Sequence, residues 1–577
     1  MKRSLQVFLF FLIVLLTSIC IAASFLPARI TALESEINSL KNSLDMAKLE
    51  MRRLDYTLLD SKIKALEIDL LTSKNLVEND EEYEAEISLV SNITATLKEL
   101  EPLFYESLPV ETRGMWVDNF TINSFFTRED VARHLDELKA INVNIIFPDV
   151  YGNGAAIYPS KIVPQQSRFV VFFKDDDVLK IIIEEAHKRG IEVHPLVRVF
   201  ALHNGAEYFI NDKVEWLDKT NANKFTLANG YYWLSPANPE VREYNIDMLK
   251  ELARNYNIDG IHLDYIRFDA DFGYNAFMRD LFTNLFGIDP FDIKSDRMLD
   301  IFKVFKSQFV NKFVEHAFYE LKAIKPNLLI SAAVASPYSW GKNDLGQDWL
   351  NWALNRHVNF LTPMSYRSTV EQYSSTVKSE VNTVSGITYI YTGIGVYLFN
   401  DSILLGQLKA GQDTTMTGQA VFSTANMKYY HYNVLKNGPW SKPAVPTFRD
   451  PHKAANLQLL DLIQRINEFK SFINTDTKLL DEYLLKLENI TLKVATLNLR
   501  PWDTRDLRAD NPDEVSQLEP ILNETKELIN RINRDCKREN LLPPVTAERI
   551  INDLNCFMSL LQPLLYTSLP FEYISTK

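Results

Sequence analysis

Between residues 113 and 427, short apolar runs alternate with amphipathic stretches, a pattern that predicts strands each followed by a helix. The runs fall at 113–120 (RGMWVDNF), 144–151 (NIIFPDVY), 191–200 (IEVHPLVRVF), 258–268 (IDGIHLDYIRF), 328–335 (LLISAAVA), 358–366 (VNFLTPMSY), 387–397 (ITYIYTGIGVY) and 417–427 (TGQAVFSTANM). Helix boundaries between them carry end signals. Thr127–Ile141 opens on an N-cap threonine with Asp130 three residues on, and Asp177–Arg189 stops at Gly190. Eight strand–helix units predict an α/β fold of the (β/α)8 TIM-barrel kind. The rival, a doubly wound open sheet, lacks its usual glycine-rich phosphate loop after the first strand.

The flanks follow a helical period. From Ile30 the apolar positions Leu33, Ile37, Leu40, Leu44, Ala47, Met51, Leu54 and Leu58 alternate steps of three and four, as in a coiled-coil seam or a small bundle. Asn79-Asp80 with Glu81 and Glu82 predicts a second helix, from about 80 to 104, folding back on the first. Beyond Pro451, Leu457, Leu460, Ile463, Ile466 and Phe469 keep a helical stripe, as do Leu479, Leu480, Tyr483, Leu484 and Leu487. LEPLFYESLPVE (Leu100 to Glu111) and LQPLLYTSLPFE (Leu561 to Glu572) agree at eight of twelve positions, which points to two related helical modules. Their stripes suggest self-association or docking against the barrel.

At the N-terminus, Lys2 and Arg3 precede an apolar run from about Leu5 to Leu26, long enough to cross a bilayer. It reads as an export signal. Ala22 and Ala23 suit cleavage, and the length of the run suits an uncleaved anchor equally. The expected organisation is a signal peptide or signal anchor over 1–26, a helical coiled-coil-like module over 27–108, the barrel over 109–445 and a C-terminal helical module over 446–577. The protein is expected to be extracytoplasmic, either secreted or anchored in the membrane through its N-terminal segment.

A net charge of −13 and a pI near 5.4 disfavour a nucleic-acid partner, which needs concentrated Lys and Arg. Cys536 and Cys556 could pair in an exported chain or remain two helical thiols. The nine histidines are scattered without metal-ligand spacing, so no metal site is expected.

Polar groups at the C-terminal ends of barrel strands converge on one mouth. The first strand offers Trp116, Asp118 and Asn119, the second Asp149 and Tyr151, the third His194 and Arg198, and the fourth His262, Asp264 and Arg267. The loop after the fifth offers Asp348 and Trp349, with Trp340 nearby; the sixth offers Tyr366 and the seventh Tyr397. Carboxylates mixed with aromatic rings suit a sugar, which presents apolar C–H faces and hydroxyls. Glycoside hydrolysis commonly uses two carboxyl groups, one protonated and one ionised. Asp264 is the leading candidate, its charged form favoured by Arg267 and His262 nearby. Asp149 or Asp348 would supply the second carboxyl group. Structural roles compete: Asp118 as a loop cap or ion-pair partner, Asp149 in a turn, His194 and His262 in the core, Trp349 in helix packing.

Several blocks in order, RGMWVDN at Arg113, FPDVYGNGAAIYPS at Phe147, EAHKRGIEVHPLVR at Glu185, LSPANPEVREY at Leu234, DGIHLDYIRF at Asp259, GQDWLNW at Gly346 and FLTPMSY at Phe360, resemble the glycosyl hydrolase-like 10 family. The resemblance covers about Thr112 to Trp440. It implies a barrel acting on glycosidic bonds, with relatives that look like peptidoglycan glycan-strand hydrolases, Asp264 matching the strand-four aspartate and Asp348 the acidic residue of GQDW. Two departures stand out: Ala155-Ala156 replaces a carboxylate found in many relatives, and the glutamate pair of strands four and seven in other barrel glycosidases is absent. The expected function is extracytoplasmic hydrolysis of a cell-envelope or extracellular polysaccharide, without a cofactor. The alternative is a non-catalytic envelope scaffold whose barrel binds glycan.

Overall fold

The chain opens in three helices, α1 (Lys2–Leu49), α2 (Tyr56–Val77) and α3 (Tyr83–Leu100). The computed structural model describes all residues except Met1, 78–82, 175, 203–206, 227–229, 474–476, 500–511, 540–541 and 566–577, together with the side chains of 2–25, 77, 83, 207, 208, 210, 512, 538 and 539. Two expectations are corrected here. The stripe from Ile30 to Leu58 does not lie on one helix: α1 ends at Leu49, Met51 takes a left-handed φ of 49°, and Leu58 is 39% exposed on α2. The expected single partner helix is two, α2 and α3, packed with α1 around Leu33, Ile37, Leu44, Leu59, Ile63 and Ile93. Among the described residues no helix is long and apolar enough to cross a membrane, and the side chains of the N-terminal apolar run up to Phe25 lie outside them.

Eight parallel strands then form the barrel: β1 (Thr112–Val117), β2 (Ile145–Gly152), β3 (Glu192–Val193 and Leu196–Arg198), β4 (Gly260–Asp264), β5 (Leu329–Val334), β6 (Phe360–Pro363), β7 (Tyr389–Ile390 and Thr392–Gly395) and β8 (Gly418–Phe422). Six lie within the expected runs, and β1 at its start and β2 at its end overrun theirs by one residue. Two are interrupted. In β3 the break falls at His194-Pro195, where proline has no N–H to donate and its carbonyl instead accepts from His262 N at 2.9 Å. In β7 the first piece pairs with β6 and the second with β8, so the sheet closes through this strand.

The outer layer is α4 (Arg128–Ala140), α5 (Val178–Lys188), α6 (Pro239–Asn255), α7 (Asp296–Ile324), α8 (Trp349–Leu354), α9 (Val370–Val384), α10 (Asp401–Gln412) and α11 (Tyr429–Asn437). The Thr127/Asp130 capping box starts α4, Asp177 caps α5, and Gly190 beyond α5 has φ 67°. Alternate strand residues such as Met115, Ile146, Val197 and Leu263 pack under these helices.

The chain ends in α12 (Pro451–Phe472), α13 (Lys478–Ala495), α14 (Pro512–Glu539) and α15 (Pro544–Leu565). Ala454, Leu459, Leu462, Ile550 and Leu554 from these helices join one apolar cluster with Trp116, Phe147, Phe360 and Tyr391 of the barrel interior, through Phe448. The Arg449–Glu192 ion pair and the bond from Tyr389 Oη to Leu560 O place this contact at the strands' N-terminal ends. Docking against the barrel is thus the role of the C-terminal helices; it closes the base and leaves the opposite mouth for chemistry. Of the internal echo, the first copy forms a 3-10 turn, Glu101–Phe104, and Tyr566 to Glu572 of the second lie outside the described residues. Cys536 and Cys556 are both free thiols.

Candidate active site

Arg198 and Asp264 end the neighbouring strands β3 and β4, and Asp149 lies in the C-terminal half of the adjoining β2. Strand register sets Arg198 beside Asp264, and Asp149 beside Leu196, two residues earlier on the same face of β3. The Arg198 guanidinium donates Nη2–H to Asp149 Oδ2. Asp264 Oδ1 accepts from the backbone N–H of Tyr265 at 2.7 Å.

Burial dominates both carboxyls. It pushes Asp264 up to about 6, with Tyr265 N–H, Arg198 and Arg267 pulling the other way and Asp149 adding to the rise. It raises Asp149 as well, against the opposing charge of Arg198. The expected downward shift is therefore not found: Arg267 acts in that direction but burial outweighs it. Arg267 lies over the rings of Tyr265 and Trp233, 5.1 and 5.3 Å from their centroids, and bonds to Phe268 O. His262 is held neutral by burial.

His262 fills the barrel interior one side-chain layer beneath Asp264. Its Nε2 accepts from Trp116 Nε1–H at 3.2 Å, which leaves the proton on Nδ1, 2.9 Å from Ser331 Oγ. Phe147 stacks on it at 4.1 Å. Trp116, 2% exposed, packs on Phe147 and Phe422 and forms part of the floor. His194 sits at the closed end instead, 3.4 Å from Glu192 and against Phe360 and Phe448. Glycine at 260 makes room for it, since a Cβ there would come within 2.3 Å of the imidazole.

Asp118 accepts from Phe120 N and Thr121 N through Oδ1, and from Ala425 N and the Ser423 hydroxyl through Oδ2, stitching the end of β1 to that of β8. Asn119 begins the short helix that Asp118 caps. Tyr151 points outward between β2 and α6, its hydroxyl 3.4 Å from that of Tyr244. Asp348 caps α8, accepts from Tyr338 Oη at 2.6 Å and pairs with Lys342 at 3.2 Å. Trp349 is fully buried with its indole N–H on Ala335 O. The fold thus gathers Asp149, Arg198 and Asp264, and ties Asp118, Asp348 and Trp349 into loop architecture.

The opposite arc of the mouth is aromatic. Tyr366 after β6 packs against Phe422 of β8 and Tyr397 beyond β7, with centroids 5.5 and 6.0 Å apart, and Tyr397 is 50% exposed. Burial and the nearby charge of Asp264 raise the Tyr366 phenol. Glycines on β7 make the space: a Cβ at Gly393 would meet Tyr366 at 3.1 Å and Trp116 at 3.3 Å, and one at Gly395 would meet Tyr366 at 3.1 Å. The alternating glycines in TGIGVY are a signal the sequence carried for this wall. Two supports went unread. Tyr265 has φ 51°, and the buried Glu380 of α9, pushed up to about 7, accepts from Ser365 beside Tyr366 at 2.6 Å.

A barrel with buried carboxyls on one arc of its mouth and a partly exposed aromatic wall on the other is the architecture of a carbohydrate-active protein. The family model described as Glycosyl hydrolase-like 10 matches residues 111–405, and the chain belongs to that family. Glycosyl hydrolase DigH of Escherichia coli (strain K12) is 26% identical over 165 residues, 26% of this chain and 36% of that protein. Glycosyl hydrolase YngK of Bacillus subtilis (strain 168) is 21% identical over 265 residues, 42% of this chain and 49% of that protein. The matches therefore span less than half the length of either relative. Among solved structures, the PgaB (BpsB) glycoside hydrolase domain from Bordetella bronchiseptica shares 11% identity at a TM-score of 0.46, covering 57% of this chain and 98% of that one.

Proposed function

We propose that the protein is an extracytoplasmic glycoside hydrolase, secreted or tethered through its N-terminal segment, that cleaves O-glycosidic bonds of a cell-envelope or extracellular polysaccharide, peptidoglycan glycan strands being the favoured substrate. The observation that carries this reading is the split mouth, where Asp264 and Asp149 lie on one arc and Tyr366 and Tyr397 on the other. A sugar whose apolar face lies on Tyr397 turns its glycosidic oxygen toward Asp264. Asp264, pushed up to about 6, is a general acid that still holds its proton in mildly acidic solution. Asp149, ion-paired to Arg198, is the carboxylate that would act as nucleophile or activate water. Membership of the glycosyl hydrolase-like 10 family supports the glycosidic bond as target; Lys2, Arg3 and the apolar run behind them support export.

The test is release of soluble fragments from purified peptidoglycan and a panel of polysaccharides by the full chain and by Asp264→Asn. Fragments from the parent and a loss of about 10²–10⁴-fold in the variant are expected for removal of a general acid. Equal turnover by both would remove Asp264 from the chemistry. Glycan binding by the parent without any fragments would instead favour a non-catalytic scaffold.

A further inference from the structure

Two neighbouring loops on the rim of the mouth leave apolar side chains exposed. The loop after β1 exposes Phe120 and Phe126, and the short helix Ser167–Phe173 after β2 exposes Val170, Val171 and Phe172 while Phe169 and Phe173 turn inward. The loops meet: the rings of Phe126 and Phe172 pack edge to face with centroids 4.8 Å apart. Backbone pairing ties this patch to the candidate site. Tyr151, next but one after Asp149, pairs with Ala156, and the carbonyl of Ala156 accepts from Gln166 N at 2.8 Å, where the helix begins. Contiguous exposed apolar surface commonly marks a binding surface.

Arg168 lies among the rings. Its guanidinium carbon is 5.1 Å from the Phe126 centroid and 5.4 Å from those of Phe169 and Phe172. Its Nη2–H donates to Phe125 O at 3.3 Å, its buried Nε–H has no acceptor, and no carboxylate among the described residues pairs with it. Stacking on aromatic faces holds such a guanidinium in place while its charge stays available to an anion. Rings beside an available cation suit a sugar unit with an apolar C–H face and an acidic substituent. Glu129 and Asp176, exposed three residues after Phe126 and four after Phe172, keep the patch from presenting the dense positive charge that an anionic bilayer selects.

We infer that Phe126, Phe172 and Arg168 form a distal subsite that grips an anionic sugar unit of the same polysaccharide chain that crosses Asp149 and Asp264. The inference rests on the glycan-active reading of the mouth for its ligand, and on the patch itself for its place. Tyr397 lies on the far arc and this patch beyond β2, so the chain is held on both sides of the carboxyls and is cut internally rather than from an end.

Binding is read without turnover, in the Asp264→Asn chain, by titration calorimetry with peptidoglycan fragments sorted by length, and with the same fragments after their carboxylates are amidated. Phe126→Ser, Phe172→Ser and Arg168→Gln are compared with Leu485→Ser, a 70% exposed position on α13, as control. Each patch variant is expected to weaken binding of long fragments about three- to tenfold, to leave the shortest fragments within about twofold, and the control to match the parent. Amidated long fragments bind the parent about as weakly as native ones bind Arg168→Gln. With Asp264 restored, kcat/KM on long fragments falls by the same factor, and the first products of the parent are long internal pieces. Should Phe126→Ser fail to fold, Val171→Ser, at a 63% exposed position, takes its place.

Binding unmoved by all the patch variants, or weakened equally at every fragment length, overturns the inference. So does adsorption to phosphatidylcholine–phosphatidylglycerol vesicles that these variants abolish while fragment binding stands. Weakened binding of long fragments alone, with a parent that shows no turnover, sustains the inference and removes the glycosidase reading; turnover with binding unmoved does the reverse.

Discussion

Asp264 shows how burial can outweigh two nearby cations. A carboxyl drawn from its ordinary value of 3.8 up to about 6 is easier to protonate in the folded chain than in the unfolded one. Its favourable contribution is fully present below the ordinary carboxylate range and is lost as the pH rises through 6. Asp264→Asn should therefore gain stability over the parent between pH 4 and pH 7, by up to about 3 kcal/mol. Urea melts of the pair across that range check it, and a constant difference would show that the site leaves the carboxyl unperturbed. Sequence placed Asp264 at a strand end. It misjudged the proton, because Arg267 is near in sequence but lies on Tyr265 and Trp233, and water exclusion comes from β2, β3 and β6.

At the scale of elements, the eight strands were legible because alternation of apolar and polar positions is local, and the caps at Thr127 and Asp177 were legible for the same reason. The broken strands were less so. ITYIYTGIGVY reads as one continuous strand, yet its halves pair with different neighbours, and its glycines answer to the rings of Tyr366 and Trp116. Gly393→Ala should push those rings aside, costing about 1–3 kcal/mol of stability, and should weaken glycan binding in an Asp264→Asn background, where titration calorimetry reads affinity without turnover. Unchanged affinity would separate the aromatic wall from substrate. The stripe from Ile30 to Leu58 misled because its spacing continues across a turn; Met51, on the seam, is buried with the C-terminal helices.

Across the whole molecule, a buried ion network joins the N-terminal helices, the entry to the barrel and the C-terminal helices. Glu106 accepts from Arg53 N and from Arg549 Nη1 and Nη2 at 2.8–2.9 Å, Asp553 pairs with Arg465 at 2.8 Å and Arg549 at 3.1 Å, and Asp461 pairs with Arg53 and with Arg465. The arginines hold Glu106, Asp461 and Asp553 below the usual carboxylate range although burial opposes them. Depressed carboxyls add stability above that range and lose it as the pH falls through their folded values. Glu106→Gln should leave Arg53 and Arg549 incompletely paired and cost about 3–5 kcal/mol, read as a lower Tm at pH 7 that approaches the parent's in acid. An equal Tm at pH 7 would mean the network adds no net stability.

The sequence by itself determined the strand–helix alternation, the helical flanks and the family, since periodicity, caps and ordered motifs are written in neighbouring residues. It also ranked Asp264 first among the polar strand ends. Tertiary structure alone decided which of those ends share a mouth and which hold loops together: Asp149 meets Arg198 across 49 residues, and Asp118 is spent on Ser423 across 305. It likewise decided that the helices close the base and that burial raises the proton affinity of Asp264. The physical reason is common to all of these, because burial and partnership are set by distance in space.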